Sequence, residues 1–143
     1  MKKIIGGKVY DTETARLVGK WENDRPITDG SWMSEDLYRK KTGEYFLHGF
    51  GNGLSPYAQQ VATGGFTSGE AIRPLAYEAA LAWAEGKMDA DAYIEAFGDP
   101  GEGDEDARID TYVSVAAKRI IDRERSRTGE SVAEVIERAV KNF

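Results

Sequence analysis

A chain of 143 residues with 41% hydrophobic and 10% aromatic side chains carries enough apolar material for one or two folded domains, which excludes wholesale disorder. It contains no cysteine and a single histidine, His48, so disulfides, thiolate metal sites, multi-histidine metal centres and double-histidine catalysis are excluded. The net charge of −6 excludes a uniformly basic nucleic-acid binder and makes the distribution of charge the informative quantity.

That distribution is uneven. Residues 1–97 carry 11 basic and 14 acidic side chains, residues 98–107 five acidic and no basic ones, and residues 108–143 eight basic and six acidic ones. Only the last segment is mildly basic. No apolar run approaches the roughly 18 residues of a membrane span, and "MKKIIGGKVYD" lacks the long apolar core of a signal peptide. A cytoplasmic protein is expected, consistent with the absence of cysteine.

Taken in chain order, "KKIIGGKVYD" predicts two short strands about a Gly6-Gly7 turn. "DTETARLVG" predicts a short helix with Asp11 as N-cap, Ala15 and Val18 on one side, and Gly19 ending it. "EDLYRKKTGEYFLHGF" has two runs of strand formers around Lys41-Thr42-Gly43, the pattern of a hairpin. "PLAYEAALAWAEG" predicts a helix opened by Pro74 and closed by Gly86. A second helix follows Asp89, with Ala90, Tyr93, Ile94 and Phe97 at i, i+3, i+4 and i+7. The two helices form a helical hairpin covering the strands of an α+β domain, residues 1–97.

The segment "GDPGEGDEDA", residues 98–107, reads as an acidic linker, because glycine, proline and five like charges leave it little to bury and much self-repulsion. Beyond it the pattern sharpens. "RIDTYV" alternates Ile109, Thr111 and Val113 on one face of a strand with Arg108, Asp110 and Tyr112 on the other. Ser114 caps a helix running to Thr128 with Ala117, Ile120 and Ile121 as its stripe, and Gly129 stops it. Ser131 and Glu134 make an S-x-x-E capping box for a last helix, in which Val132, Val135, Ile136, Ala139, Val140 and Phe143 form one apolar face. Thr111 and Glu124 interrupt the apolar faces of the strand and the first helix. One strand and two helices in 36 residues bury too little surface to stand alone, so the stripes require a partner. A second copy supplies one.

This order of alternating strand, capped helix, "TGES" and S-x-x-E helix resembles the ribbon-helix-helix family of bacterial repressors and antitoxins. The resemblance covers residues 108–143, about a quarter of the chain. It implies a homodimer whose paired strands form a ribbon in the major groove of double-stranded DNA, with Arg108, Asp110 and Tyr112 as base readers. It further implies that the start of the second helix, Glu130, Ser131 and Val132, with Arg127 nearby, rests against phosphate. The dimer core would comprise Ile109, Val113, Ile120, Ile121, Val132, Val135, Ile136, Ala139, Val140 and Phe143. Two carboxylates depart from that pattern: Asp110 in the ribbon and Glu130 at the phosphate contact are both repelled by the DNA backbone. A module kept for dimerisation alone would carry the same features.

The phrases "KVYDTETA", "EDLYRKKTGEYFLHGFG" and "IRPLAYEAALAWAE" resemble a group of small uncharacterised proteins of bacterial mobile elements. Such elements carry regulators, antitoxins and inhibitors of host defence such as anti-CRISPR proteins. The expected function is therefore a homodimeric DNA-binding repressor, autoregulatory or antitoxin-like, with a protein partner engaged through residues 1–97. The alternative is a protein-binding inhibitor of the anti-CRISPR kind, dimerised by its C-terminal module.

No enzymatic function, catalytic residue, metal or cofactor is expected. "GFGNG", Gly49 to Gly53, lacks the lysine and Ser/Thr of a phosphate loop, so a plain loop after a strand is the simpler reading. His48 in "YFLHGF" reads as a packed strand residue without a catalytic partner. Glu35 and Glu44 face each other across the predicted hairpin, yet no pattern singles them out from the other carboxylates as an acid–base pair. Trp21, Trp32 and Trp83, with Tyr38, Tyr45 and Phe46, read as core. "YRKK", Tyr38 to Lys41, reads either as solvated turn charges or as a second phosphate contact.

Overall fold

The computed structural model describes residues 1–103 and 109–143, which fall into two compact units, 1–107 and 108–143. The chain is α+β, with antiparallel strands followed by four helices.

The first unit opens with β1 (Lys2–Ile5) and β2 (Lys8–Asp11), paired antiparallel through Gly6 and Gly7 at φ 59° and 77°. Two consecutive positive φ values make the tight hairpin turn that favours glycine at both positions. The helix predicted after Asp11 does not form. The Asp11 carboxylate accepts from the Glu13 amide at 2.9 Å and its carbonyl from the Ala15 amide at 3.0 Å, closing a local turn. The chain then enters β3 (Arg16–Glu22), where Val18 and Trp21 pack into the core. Aspartate satisfied its own neighbourhood instead of starting a helix, a competition intrinsic to short polar side chains.

The main sheet has the order β3-β4-β5-β8, antiparallel throughout. Strands β4 (Met33–Arg39) and β5 (Tyr45–Gly51) are the predicted hairpin, turning through Lys40–Glu44 with Gly43 at φ 92°. Between them and the last strand lies a small ladder, β6 (Gln59–Gln60) with β7 (Phe66–Thr67). Strand β8 (Gly69–Leu75) contains Pro74, expected at the start of a helix. Proline fits there because β8 is an edge strand with one unpaired side. The helices are α1 (Tyr77–Lys87) and α2 (Ala90–Phe97); α2 is capped by Asp89, whose carboxylate accepts from the Ala92 amide at 2.8 Å. Gly86 lies inside α1 rather than ending it.

Each sheet face has its own core. On one, Leu37, Tyr45 and Leu47 pack against Ala80, Trp83 and Ala84 of α1, with Tyr93 and Phe97 of α2 at the margin. On the other, Phe46 and Ile72 pack against Tyr10 from the β1–β2 hairpin. Leu37 and Phe46 are fully buried, each contributing about 2 kcal/mol of apolar burial. The glycines of "GFGNG" have a packing role. Gly49 and Gly51 are buried in β5, and β-carbons there would overlap Tyr57 and Ser55, which fold back from the following loop over the same face.

In the second unit the expected strand, Ile109 to Val113, is not formed; the unit is helical only, with α3 (Val115–Thr128) and α4 (Val132–Lys141). A strand exists through its ladder, and this unit offers its own chain no second strand to pair with. The caps are as predicted: Ser114 accepts from Ala117 at 3.1 Å, Ser131 from Glu134 at 3.2 Å, and Gly129 takes φ 76° between the helices. The Glu134 carboxylate bonds the Ser131 hydroxyl at 3.1 Å, which closes the capping box side chain to side chain.

Candidate dimer face and nucleic-acid interface

The helical unit buries almost nothing by itself. Among its described residues only Val135 is buried, at 6% exposure. Ile109, Val113, Ile120, Val132, Ile136, Val140 and Phe143 are exposed, Ile121 is half-buried, and Ala139 lies on the exposed surface of α4. The residues expected to form a dimer core thus constitute an uncovered apolar face on two short helices and the segment before them. Helices of 14 and 10 residues are marginal in water unless tertiary packing holds them.

Of the expected base readers, Tyr112 is fully exposed and Asp110 is at the surface, whereas Arg108 lies outside the described residues. The expected phosphate contact is differently built. Arg127 does not project freely: its Nε and Nη2 donate to the two carboxylate oxygens of Glu124 at 3.1 and 2.8 Å. Arg138, one of the residues the sequence reading passed over, donates from Nη2 to Glu124 at 3.0 Å and lies within 3.0 Å of Glu130 Oε1. Two arginines and two glutamates therefore form one chain of ion pairs, joining the end of α3 to the start and last turn of α4.

The electrostatic consequence is specific. The Arg127 and Arg138 hydrogen bonds hold the Glu124 carboxyl down at about 2. Arg138, with help from Thr128, likewise lowers Glu130. Glu130, which as an isolated charge would repel phosphate, is neutralised by Arg138. The first-turn amides of Val132 and Ala133, which no helix can pair internally, still give the start of α4 a partial positive charge. Glu124, which interrupts the apolar stripe of α3, is the hub of this network. The i,i+3 spacing of Glu124 and Arg127 is a legible signal; the reach of Arg138 across the inter-helix turn is not.

The first unit holds a second polar cluster. Glu35 of β4, 5% exposed, accepts from Tyr57 Oη at 2.5 Å, Lys87 Nζ at 2.8 Å and Trp83 Nε1 at 3.1 Å. Burial pushes its carboxyl up, and the three donors together outweigh that, leaving it below the ordinary glutamate value. Lys87 also lies 4.3 Å from the Trp21 ring centre. Every polar partner is satisfied, so this cluster fastens the loop and α1 to the sheet. Glu44, the other carboxylate of the predicted hairpin, sits apart at the turn and pairs with Lys8 at 2.9 Å and Lys40 at 3.5 Å. The two carboxylates are not brought together. His48 is half-buried in β5, its Nε2 2.8 Å from Glu70. Trp32 and Trp83 are buried and Trp21 half-buried.

Among the described residues no group of three His, Cys, Asp or Glu side chains is placed to hold a metal ion, and no helix is long and apolar enough to cross a membrane. Compared with protein-family models, curated proteins and solved structures, the chain gives no significant match.

Proposed function

We propose that the chain is a homodimeric DNA-binding transcriptional regulator that assembles through ribbon-helix-helix pairing of residues 108–143. The observation that carries this reading is the uncovered apolar face: among the described residues of the 108–143 unit one, Val135, is buried, although the helix caps are in place. Well-formed helix ends on an unfinished core are what one half of an intertwined dimer requires. In the dimer, residues 108–113 of two copies pair as an antiparallel ribbon and the four helices close beneath it. Ile109 and Val113 then turn inward, and Arg108, Asp110 and Tyr112 outward toward base edges.

Phosphate seats at the start of α4, on the amides of Val132 and Ala133, with Glu130 offset by Arg138. Repression follows from occupying a promoter. An upstream site of the chain's own gene makes the regulator autoregulatory.

The test is a gel-shift titration of the full chain on its own upstream DNA at two salt concentrations. Retardation that is sequence-specific and weakens with salt supports the reading. Replacing Arg108 and Tyr112 together with alanine should abolish specific retardation and leave the dimer intact. Specific affinity retained in that double variant overturns the ribbon assignment.

A second reading, a protein-binding inhibitor of the kind mobile elements carry, draws on a different observation. Ile27 and Leu54 on loops and Phe66 on β7 of the first unit are largely exposed, apolar surface suited to a protein partner. Inhibition of a target by residues 1–97 in the absence of the C-terminal unit would favour it.

A further inference from the structure

The pairing of β3 with β4 sets Arg16 directly opposite Arg39, two like charges on one face of the sheet. Such a pair costs stability unless an anion lies between or beside them. No carboxylate of the described residues supplies it: Arg16, Arg39 and Lys41 have no ion-pair partner there, and Lys40 shares Glu44 with Lys8. The four cations converge with Thr14 and Ala15 on an open groove of about 430 Å³ at the end of the sheet. A narrower cleft of about 180 Å³ adjoins it, sharing Arg16 and Arg39 and walled by Tyr45 and Glu95. The two guanidiniums also lie near the Tyr45 phenol: burial pushes that group up, and Arg39 and Arg16 pull against it.

Two of the four cations rest against aromatic rings, while Arg16 and Lys41 are exposed. Arg39 lies 5.9 Å from the Tyr45 ring centre, and Lys40 is 4.2 Å from that of Tyr10. The four cations come from the first residue of β3, the last residue of β4 and the β4–β5 turn. The protein is acidic overall, yet gathers four positive charges here against two carboxylates, Glu44, which pairs with Lys40, and Glu95 on the wall of the adjoining cleft.

We propose that this groove is a phosphate-binding site, with Arg16 and Arg39 as the paired donors and Lys40 and Lys41 as the flanking charges. Guanidinium groups bind phosphate oxygens through paired hydrogen bonds, and lysines add point charge at the rim. The phosphate is either that of a DNA backbone or that of a free phosphorylated molecule. The site belongs to the first unit and does not depend on the regulator reading.

The test is a titration of the isotope-labelled full chain with inorganic pyrophosphate, followed by amide resonances. Saturable shifts at residues 14–16 and 39–41 are expected. In Arg16→Gln/Arg39→Gln the affinity should fall about tenfold or more, the equivalent of one charge-assisted hydrogen bond. The same variant should melt no lower than the parent, because it relieves a like-charge pair. Should it fail to fold, Lys40→Gln/Lys41→Gln serves in its place, with a smaller loss expected. Absent or non-saturating shifts, or shifts unchanged in the variants, overturn the site. A non-cognate DNA duplex then separates the sources. If the arginine variant lowers the salt dependence of duplex binding, by a slope of about 0.9 per lost contact, the backbone supplies the phosphate. If pyrophosphate binding is lost while duplex binding is unchanged or absent, the ligand is a free phosphorylated molecule.

Discussion

Tyr57 occupies the space that a side chain on Gly49 would fill. A β-carbon on Gly49 would overlap the Tyr57 ring, and only because it is missing does the Tyr57 hydroxyl reach Glu35, 22 residues earlier, at 2.5 Å. The loop after β5 is thereby laid across the sheet and fastened to it. Gly49→Ala should cost about 3 kcal/mol or more, since overpacking a closed site commonly costs 1–3 kcal/mol and the obstacle here is a buried ring. Chemical denaturation of the purified variant measures this. A loss near zero would mean that Tyr57 and its loop move aside freely.

Tyr57→Phe removes the hydroxyl and leaves the ring. The bond lost is one to a buried carboxylate, so about 1.5–3 kcal/mol is expected. Glu35→Ala is worse, because Lys87, Trp83 and Tyr57 all lose their acceptor. With Lys87 partly open to solvent, about 3 kcal/mol is the expected cost. The two changes share one bond and should combine to less than their sum.

The same cluster sets a pH dependence at each end. Burial raises the Glu35 carboxyl, and the bonds from Lys87, Tyr57 and Trp83 lower it by more, so its folded value lies below the unfolded one. Its contribution is complete above the unfolded value, about 4.3, and is lost as pH falls through the folded value. The stability difference between the parent chain and Glu35→Gln should therefore shrink as the solution is acidified below about pH 4. Tyr57 behaves oppositely. Burial, then the Glu35 bond, raises its phenol, so stability is full below the unfolded value of about 10 and declines at more alkaline pH. Tyr57→Phe should lack that alkaline decline. Denaturation midpoints across the pH range test both arms; parallel curves for parent and variants would refute the assignment.

What the sequence discloses is mostly local. Gly6-Gly7, the Lys41-Thr42-Gly43 turn, the Asp89, Ser114 and Ser131 caps and the Gly129 stop depend on a few neighbouring residues, and each can be read from them. The misread segments were decided at long range. Ala15 and Val18 are spaced as on a helix, but Val18 and Trp21 are needed as strand residues against α1 and α2. Pro74 is as good a helix opener as an edge-strand residue, and only the sheet order distinguishes them. Glu35 looks like any other carboxylate, because its partners stand 22, 48 and 52 residues away. The C-terminal stripe was visible as periodicity; what covers it lies in a second molecule under the regulator reading, beyond the reach of either the sequence or one folded chain.

Ile120 and Ile136 offer the sharpest test of that covering. Both count as exposed in the single chain, Ile120 at 54% and Ile136 at 39%, so aspartate there removes only part of a side chain's burial within it. In a dimer each would bury an unpaired charge, at a cost of several kcal/mol. Ile120→Asp and Ile136→Asp should therefore convert the protein to a monomer in sedimentation and melt the C-terminal helices, leaving the first unit folded. Helix content in the parent should fall on dilution, since assembly is linked to concentration. A monomeric parent with full helix content at low concentration would end the dimer reading.

Under the regulator reading, Arg138 separates dimerisation from DNA binding. It joins Glu124 at 3.0 Å and Glu130 at 3.0 Å, so removing it leaves two carboxylates with only Arg127 between them at the start of α4. The two arginines are exposed and the two glutamates half-buried at the surface, and ion pairs this open to solvent contribute little to stability. Arg138→Met, which keeps the aliphatic stem, should accordingly leave the dimer and its helix content nearly unchanged. The local charge, however, goes from balanced to net negative where phosphate is to sit, and a phosphate there meets a repulsion it did not meet before. Duplex affinity should fall for specific and non-specific sequences alike, by about tenfold at moderate salt, with the difference narrowing as salt is raised. Glu130→Gln changes the charge the other way and should strengthen binding without altering sequence preference. If neither substitution moves duplex affinity while the dimer persists, the start of α4 does not face DNA, and the C-terminal unit dimerises the chain without gripping nucleic acid.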